Sequence, residues 1–154
     1  MTVNGPMRRR AARQFAVQLL FQRDYNPELD IAVVFRDFWK DNPAAPATHM
    51  FAEELVRGTI ANLPQIDERI RKVAANWDLE RMGGIERNVM RLAVYEMLCR
   101  DDIPPIVSIN EAVDITKAMN DDKAGKFVNG ILDRIQRDIG RPLRTVADAP
   151  KSQG

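Results

Sequence analysis

The chain has 154 residues, of which 45% are hydrophobic and 29% charged, with 23 lysines and arginines against 22 aspartates and glutamates. This length fits one domain with a sizeable core, and a net charge of +1 excludes a globally basic surface, so a nucleic-acid site must be a local patch. The single cysteine, Cys99, excludes an internal disulfide and favours a reducing compartment, and no apolar run is long enough to span a membrane, which together predict a cytoplasmic protein.

The first predicted helix covers residues 8–24 and follows a flexible lead over residues 1–7. Its apolar residues are Ala12, Phe15, Ala16, Val17, Leu19, Leu20 and Phe21. At about 100° per residue they spread over roughly 240° of the helix circumference. A helix that is apolar on most sides packs against several neighbours, so we expect this one to run through the middle of a helical domain.

The first turns of this predicted helix are basic instead of apolar. They carry Arg8, Arg9, Arg10 and Arg13. Cations at a helix N-terminus oppose the helix dipole, at a cost of about 0.3–1 kcal/mol each, so local stability does not require them. Two interpretations are open: a solvated charged helix end, or a polyanion contact fixed on the end of a buried helix.

Three further helices are predicted before residue 78. Asp30 can cap the second, and the pair Asn42-Pro43 ends it. Thr48 is the candidate cap of the third helix. Pro64 marks the start of the fourth, whose helical period continues to Trp77.

The second half of the chain predicts three more helices. Gly83-Gly84 precedes a fifth helix over residues 85–100, which is apolar on most sides. Ser108-Ile109-Asn110-Glu111 reads as a capping box and predicts the start of the sixth. The seventh follows a break at residues 120–122 and ends at Gly140, before a tail over residues 141–154 that is predicted to be disordered. With no strand pattern, the chain is predicted to be all-α, with about seven helices.

No arrangement of residues predicts catalysis. His49 is the one histidine, and no second histidine or cysteine lies at zinc-ligand spacing, so no metal site is predicted. Cys99 lies late in a helix without a histidine nearby in sequence, which indicates a packed residue and not a nucleophile. Since a phosphate-cradling glycine loop is also absent, we expect neither an enzyme nor a bound cofactor.

Five segments of the second half resemble a known family. They read Glu86-Arg87-Asn88-Val89, Arg91-Leu92-Ala93-Val94-Tyr95-Glu96, Asp102-Ile103-Pro104, Ile109-Asn110-Glu111-Ala112-Val113 and Lys126-Phe127-Val128-Asn129-Gly130-Ile131-Leu132-Asp133. Together with the arginine-rich start of the first helix, they are similar to the signature of the NusB family of transcription antitermination factors, over roughly residues 8–139. The resemblance implies a single all-α RNA-binding domain over residues 8–140, with two small helical bundles packed around a central first helix.

The same resemblance implies a function without catalysis. Members of the family pair with the small-subunit ribosomal protein that doubles as NusE, and the pair binds boxA-like sequences of nascent ribosomal RNA transcripts. Within an antitermination complex with RNA polymerase, the pair promotes read-through of terminators and supports ribosomal RNA maturation. Two alternatives stay open: a helical module of the kind fused to ribosomal RNA methyltransferases, and a homodimeric structural protein that hides its basic patch.

The resemblance also implies which residues bind RNA and the partner. The RNA-binding residues implied are Arg9, Arg10, Arg13, Lys126 and Phe127. We add Arg8, which extends the arginine run, and Lys123. Bases of single-stranded RNA stack on aromatic rings while arginine and lysine hold phosphates, although Phe127 also heads an apolar stripe and can be a core residue. The partner-binding residues implied are Phe21, Glu86 and Met90, with core packing as the alternative for Phe21 and Met90 and a helix-start charge for Glu86.

One segment departs from the family pattern. The usual acidic, small, His, Lys, Phe sequence reads Lys123-Ala124-Gly125-Lys126-Phe127 in this chain. Lys123 therefore replaces an acidic residue, and Gly125 stands where a histidine is common. The exchange makes the predicted RNA surface more basic.

Overall fold

The computed structural model describes residues 5–74, 79 and 82–146, and side chains from residue 8 onward. In these ranges it contains seven helices and no strand, which confirms the all-α prediction. The helices are α1 (Gly5–Tyr25), α2 (Ile31–Asp41), α3 (Pro46–Ala61), α4 (Leu63–Val73), α5 (Gly84–Cys99), α6 (Pro105–Met119) and α7 (Asp122–Ile139). The chain divides into two compact units, Met1–Ala61 and Asn62–Gly154. The predicted extension of the fourth helix to Trp77 lies outside the described residues, as do residues 1–4 and 147–154.

The first unit is built from α1, α2 and α3. Packing of α1 against α3 is its most extensive contact, and the buried residues of α1 are Ala12, Arg13, Ala16, Val17, Leu19 and Leu20. Between α1 and α2, the Phe15 ring packs edge-on against the rings of Phe38 and Trp39, at centroid distances of 5.7 and 5.4 Å. The Asp30 carboxylate accepts a hydrogen bond of 3.0 Å from the Ala32 N–H, so its predicted capping role is confirmed.

Two helix starts in this unit differ from the prediction. α1 begins at Gly5, three residues before the predicted start, so residues 5–7 are helical and Arg8 is the fourth residue of the helix. The effect of the helix dipole falls off within the first turn. Most of the four arginines of α1 therefore oppose the dipole less than a helix start at residue 8 would imply. α3 begins at Pro46 and not after Thr48, which is buried inside the helix. Proline suits the first helical position, since the N–H it lacks would have had no helical partner there.

The second unit is organised around α5. Every residue of α5 from Asn88 to Met97 is buried, because α4, α6 and α7 all pack on it. Two polar groups of α5 are paired inside this core. The Arg91 guanidinium makes a two-pronged contact with the Asp67 carboxylate of α4, with N···O distances of 2.8 and 3.0 Å, and Glu96 Oε1 accepts a 2.7 Å hydrogen bond from the Ser108 hydroxyl of α6.

The pairing of Ser108 corrects the predicted capping box. α6 begins at Pro105, so Ser108 lies inside the helix and its hydroxyl faces Glu96 of α5 instead of the α6 backbone. The ends of α7 follow the prediction. The Asp121 side chain accepts a 2.7 Å hydrogen bond from the Ala124 N–H at the start, and Gly140 ends the helix at φ 81°, in the left-handed region that glycine adopts without strain.

The residues that follow α7 make contacts with the α5–α6 connection. The Arg141 guanidinium donates hydrogen bonds of 2.9 Å to the carbonyl oxygens of Met97 and Ile103. The Ile106 N–H donates to the Leu143 carbonyl oxygen at 2.8 Å. The first part of the predicted disordered tail, residues 141–146, is thus held at this connection, while residues 147–154 lie outside the described residues.

Candidate nucleic-acid interface

The arginines of α1 occupy different environments within the first unit. Arg10 is exposed, Arg8 and Arg9 are half-buried, and Arg13 is buried with 2% of its surface exposed. The guanidinium of Arg9 lies 4.8 Å from the centroid of the Phe51 ring on α3, and that of Arg13 lies 5.8 Å from the same centroid. Both distances are typical of cation–π contacts.

This arrangement divides the four arginines by role. A guanidinium stacked on a ring keeps its N–H donors in its own plane, so Arg9 can still meet a phosphate at the surface. Arg13 is buried, and in this conformation its guanidinium contacts the Phe51 ring inside the unit. α1 therefore presents Arg8, Arg9 and Arg10 toward solvent and packs Arg13 beneath them, and the contact of these arginines with RNA stays a prediction. This difference could not be predicted from the sequence, because the four residues belong to one basic run.

The start of α7 carries the second set of predicted RNA-binding residues. Lys123 and Lys126 are exposed. Phe127 is half-buried, which is intermediate between a core residue and a ring free to stack on a base. An open cavity of about 360 Å³ lies beside them. Its lining residues are Met82, Gly83, Glu86, Asn120, Asp121, Lys123, Ala124 and Phe127.

The cavity is lined by residues that were predicted to belong to two different surfaces. Lys123 and Phe127 were predicted to contact RNA, and Glu86, from the first turn of α5, was predicted to contact the partner. The Asn120 side-chain amide donates a hydrogen bond to Glu86 Oε1 and so links the α6–α7 connection to α5. Asn120 was predicted only as part of a helix break. Nothing in the local sequence around an asparagine that follows a helix indicates a hydrogen bond to a residue as distant in sequence as Glu86.

The other predicted partner residues separate into surface and core. Phe21 is half-buried, and its ring lies 5.2 Å from that of Tyr25, which is 71% exposed. Met90 has no exposed surface. It therefore occupies a core position, which was the alternative interpretation, and it cannot contact a partner directly. Tyr25 was not among the predicted site residues, although its spacing of four from Phe21 places both rings on one helix face.

The described residues form neither a metal site nor a membrane span. They contain no group of three or more His, Cys, Asp or Glu side chains that could hold a metal ion, and no helix among them is long and apolar enough to cross a bilayer. Cys99 is exposed, so the prediction that it is a packed residue is wrong. Partial desolvation of the thiol, and secondarily the charge of Asp101, raise the pKa of Cys99, so the thiol keeps its less reactive protonated form.

Comparison with known sequences identifies a family. Residues 10–137 match the model of the NusB family. The chain is 46% identical over 133 residues to the transcription antitermination protein NusB of Bacillus velezensis, covering 86% of this chain and 98% of that protein. It is 42% identical over 136 residues to the protein of the same name from Desulfitobacterium hafniense, covering 88% of this chain and 92% of that protein.

Solved structures agree with the sequence comparison. The fold is similar to T. maritima NusB, with a TM-score of 0.78 at 36% identity, over 90% of this chain and 94% of that one. It is also similar to a chain in the crystal structure of antitermination factors NusB and NusE in complex with double-stranded RNA. That match has a TM-score of 0.77 at 30% identity and covers 86% of this chain and 98% of the other.

Proposed function

The chain belongs to the NusB family, and from this premise we propose that it is an RNA-binding transcription antitermination factor. It pairs with the NusE-type small-subunit ribosomal protein on boxA-like sequences of ribosomal RNA leader transcripts. In a complex with RNA polymerase in the cytoplasm, the pair promotes read-through of terminators and supports ribosomal RNA maturation. The chain supplies binding surfaces in this process and no catalytic group.

The cavity at the start of α7 is the observation that carries this proposal. Lys123 and Phe127 both line this one open site, and Lys126 is a second exposed cation on the same helix turn. Single-stranded RNA is bound by this combination, since bases stack on aromatic rings while cations hold the phosphates. Arg8, Arg9 and Arg10 of α1, in the first unit, provide further groups for phosphate contacts.

Aromatic and acidic residues support the proposed pairing with the ribosomal protein. The Phe21 and Tyr25 rings form an exposed aromatic pair at the end of α1, and aromatic residues are enriched in protein interfaces. Glu86 lies in the first turn of α5, where a carboxylate is compatible with the helix dipole, so it can contact a basic partner without cost to the helix.

Titration of a labelled single-stranded RNA that carries a boxA-like sequence tests the proposal. The RNA is titrated with this protein alone and with an equimolar mixture of this protein and the NusE-type protein. We expect weak binding alone and binding at least tenfold tighter with the partner, because a net charge of +1 provides no general attraction for RNA. A shuffled RNA of the same composition is the control. Equal affinity with and without the partner, or equal affinity for both RNAs, would contradict the proposal.

A further inference from the structure

The contact between α6 and α7 depends on a glycine. Gly125 of α7 is buried, and a Cβ atom at this position would lie 2.8 Å from Lys117 Cγ, 3.5 Å from Cδ and 3.2 Å from Cε. Real Cβ atoms do not approach other carbon atoms at 2.8 Å. The Lys117 side chain therefore lies along the α7 backbone, in the space that a side chain at position 125 would occupy.

This packing determines where the Lys117 charge is placed. Its ammonium nitrogen is one bond of about 1.5 Å beyond Cε and so lies within about 4.7 Å of the missing Cβ. Lys117 as a whole remains exposed, so a stem packed along α7 leaves the charged end able to reach water. Two other exposed lysines, Lys123 and Lys126, lie two residues before and one residue after Gly125.

The protein gains no ion pair from this arrangement. Within the described part of the chain, none of the salt bridges involves Lys117, Lys123 or Lys126. The nearby Asp121 carboxylate caps α7 instead, through the Ala124 N–H. A lysine whose stem is fixed has already lost part of its rotamer freedom, so less entropy is lost when its charge meets an external anion.

We propose that Lys117 is a further RNA-binding residue, which contacts a phosphate beside Lys123 and Lys126, and that Gly125 is the residue that positions it there. The inference rests on the proposed function, since it adds a residue to the same RNA surface. It also gives a role to Gly125, which stands where a histidine is common in the family. Because glycine has no side chain, the Lys117 side chain of the neighbouring helix can pack there.

Replacement of the charge tests the contact. Lys117→Met keeps an unbranched apolar stem on Gly125 but removes the ammonium group. With the labelled boxA-like RNA and the NusE-type protein, we expect about three- to tenfold weaker binding at 50 mM KCl and a log–log salt slope reduced by about 0.7, the value for one phosphate contact on a single strand. Lys72→Met is the matched control, because Lys72 is an exposed lysine of the same unit that lines a separate cavity with Asp138.

Replacement of the glycine tests the positioning. The methyl group of Gly125→Ala displaces the Lys117 stem, so RNA binding should weaken as much as in Lys117→Met. The double variant should be no weaker than either single variant, since both changes remove the same contact. Gly130→Ala is the control on the same helix, because a Cβ atom there meets nothing within 4 Å. Circular dichroism and thermal melts of all variants show whether each one is folded.

The outcomes separate this inference from the proposed function. Wild-type affinity and salt slope in a folded Lys117→Met variant, while Lys126→Met weakens binding, would overturn the inference alone. Weaker binding of the NusE-type protein by Lys117→Met in the absence of RNA would also overturn it, because Lys117 would then belong to the protein interface. Failure of the wild-type protein to bind the RNA with its partner would overturn the proposed function as well.

Discussion

At the scale of single residues, Lys123 is the most informative position of the interface. It is the second residue of α7, where a cation opposes the helix dipole, and its side chain is exposed at the cavity that Phe127 and Glu86 also line. The alternative to an RNA contact is that Lys123 balances the charges of Asp121 and Asp122, which at an exposed loop is worth at most about 1 kcal/mol.

Lys123→Asp distinguishes these two roles because they predict opposite effects on stability. If Lys123 faces RNA, the variant should be as stable as the wild type or slightly more stable, through the helix dipole. RNA binding should weaken by about 1 kcal/mol or more at low salt, and the loss should shrink as salt rises. Thermal melts and RNA titrations of this variant, with Lys123→Gln as an intermediate case, provide the measurement. A destabilised protein with undiminished RNA affinity would exclude the RNA role.

At the scale of elements, the N-terminal part of α1 concentrates charge that the helix itself does not need. Arg8, Arg9 and Arg10 reach the surface, whereas Arg13 is buried against the ring of Phe51. The helix therefore offers three arginines to an anionic ligand, and the fourth stabilises the contact between α1 and α3.

Salt dependence measures how many of these arginines meet phosphates. At roughly −0.7 per contact on a single strand, three contacts contribute about −2.1 to the log–log salt slope of RNA binding. Replacement of Arg8, Arg9 and Arg10 together by Gln should flatten the slope by that amount. In contrast, Arg13→Gln should lower the thermal stability and leave the slope close to that of the wild type. An unchanged slope in the triple variant would reject this surface.

The pairing of α4 with α5 predicts a large effect on stability. Asp67 and Arg91 are both largely buried, so Asp67→Ala leaves a buried guanidinium without its carboxylate and should cost about 3–5 kcal/mol of the free energy of unfolding. Asp133→Ala removes an exposed ion pair with Arg137 one turn away on α7 and should cost about 0.5 kcal/mol or less. Urea denaturation of both variants makes the comparison, and similar losses would contradict it.

At the scale of the whole molecule, charge balance limits what the protein can bind alone. With 23 basic and 22 acidic residues, the long-range field around the chain is weak, and at physiological salt it is screened within about 8 Å. Attraction of RNA then depends on the local cationic groups and on the partner protein.

Binding of unrelated RNA tests this limit. We expect the protein alone to bind an unstructured RNA that lacks a boxA-like sequence with a Kd no tighter than about 1 μM at 0.15 M KCl, which is typical of purely electrostatic contacts. Fluorescence anisotropy is a suitable measurement, with the mixture of this protein and the NusE-type protein as the comparison. Submicromolar binding of this RNA by the protein alone would show that charge balance does not limit its affinity.

Features that depend on neighbours along the chain could be predicted from the sequence alone. The helical period predicted the seven helices, and Asp30 and Gly140 marked helix ends correctly, because a cap contacts backbone groups within three or four residues. The burial of α5 on most sides was also predicted, since its apolar residues surround the helix axis.

Which of these residues face solvent, and which of them contact one another, depends on how the helices pack. Ser108 hydrogen-bonds to Glu96 of another helix instead of capping its own, and Arg13 and Met90 are buried although their sequence patterns also fit a surface role. The contact of the Lys117 side chain with Gly125 likewise depends on the packing of α6 against α7. Whether a side chain is covered depends on the helix that packs over it, and that helix is distant in the sequence, so no local pattern records the contact.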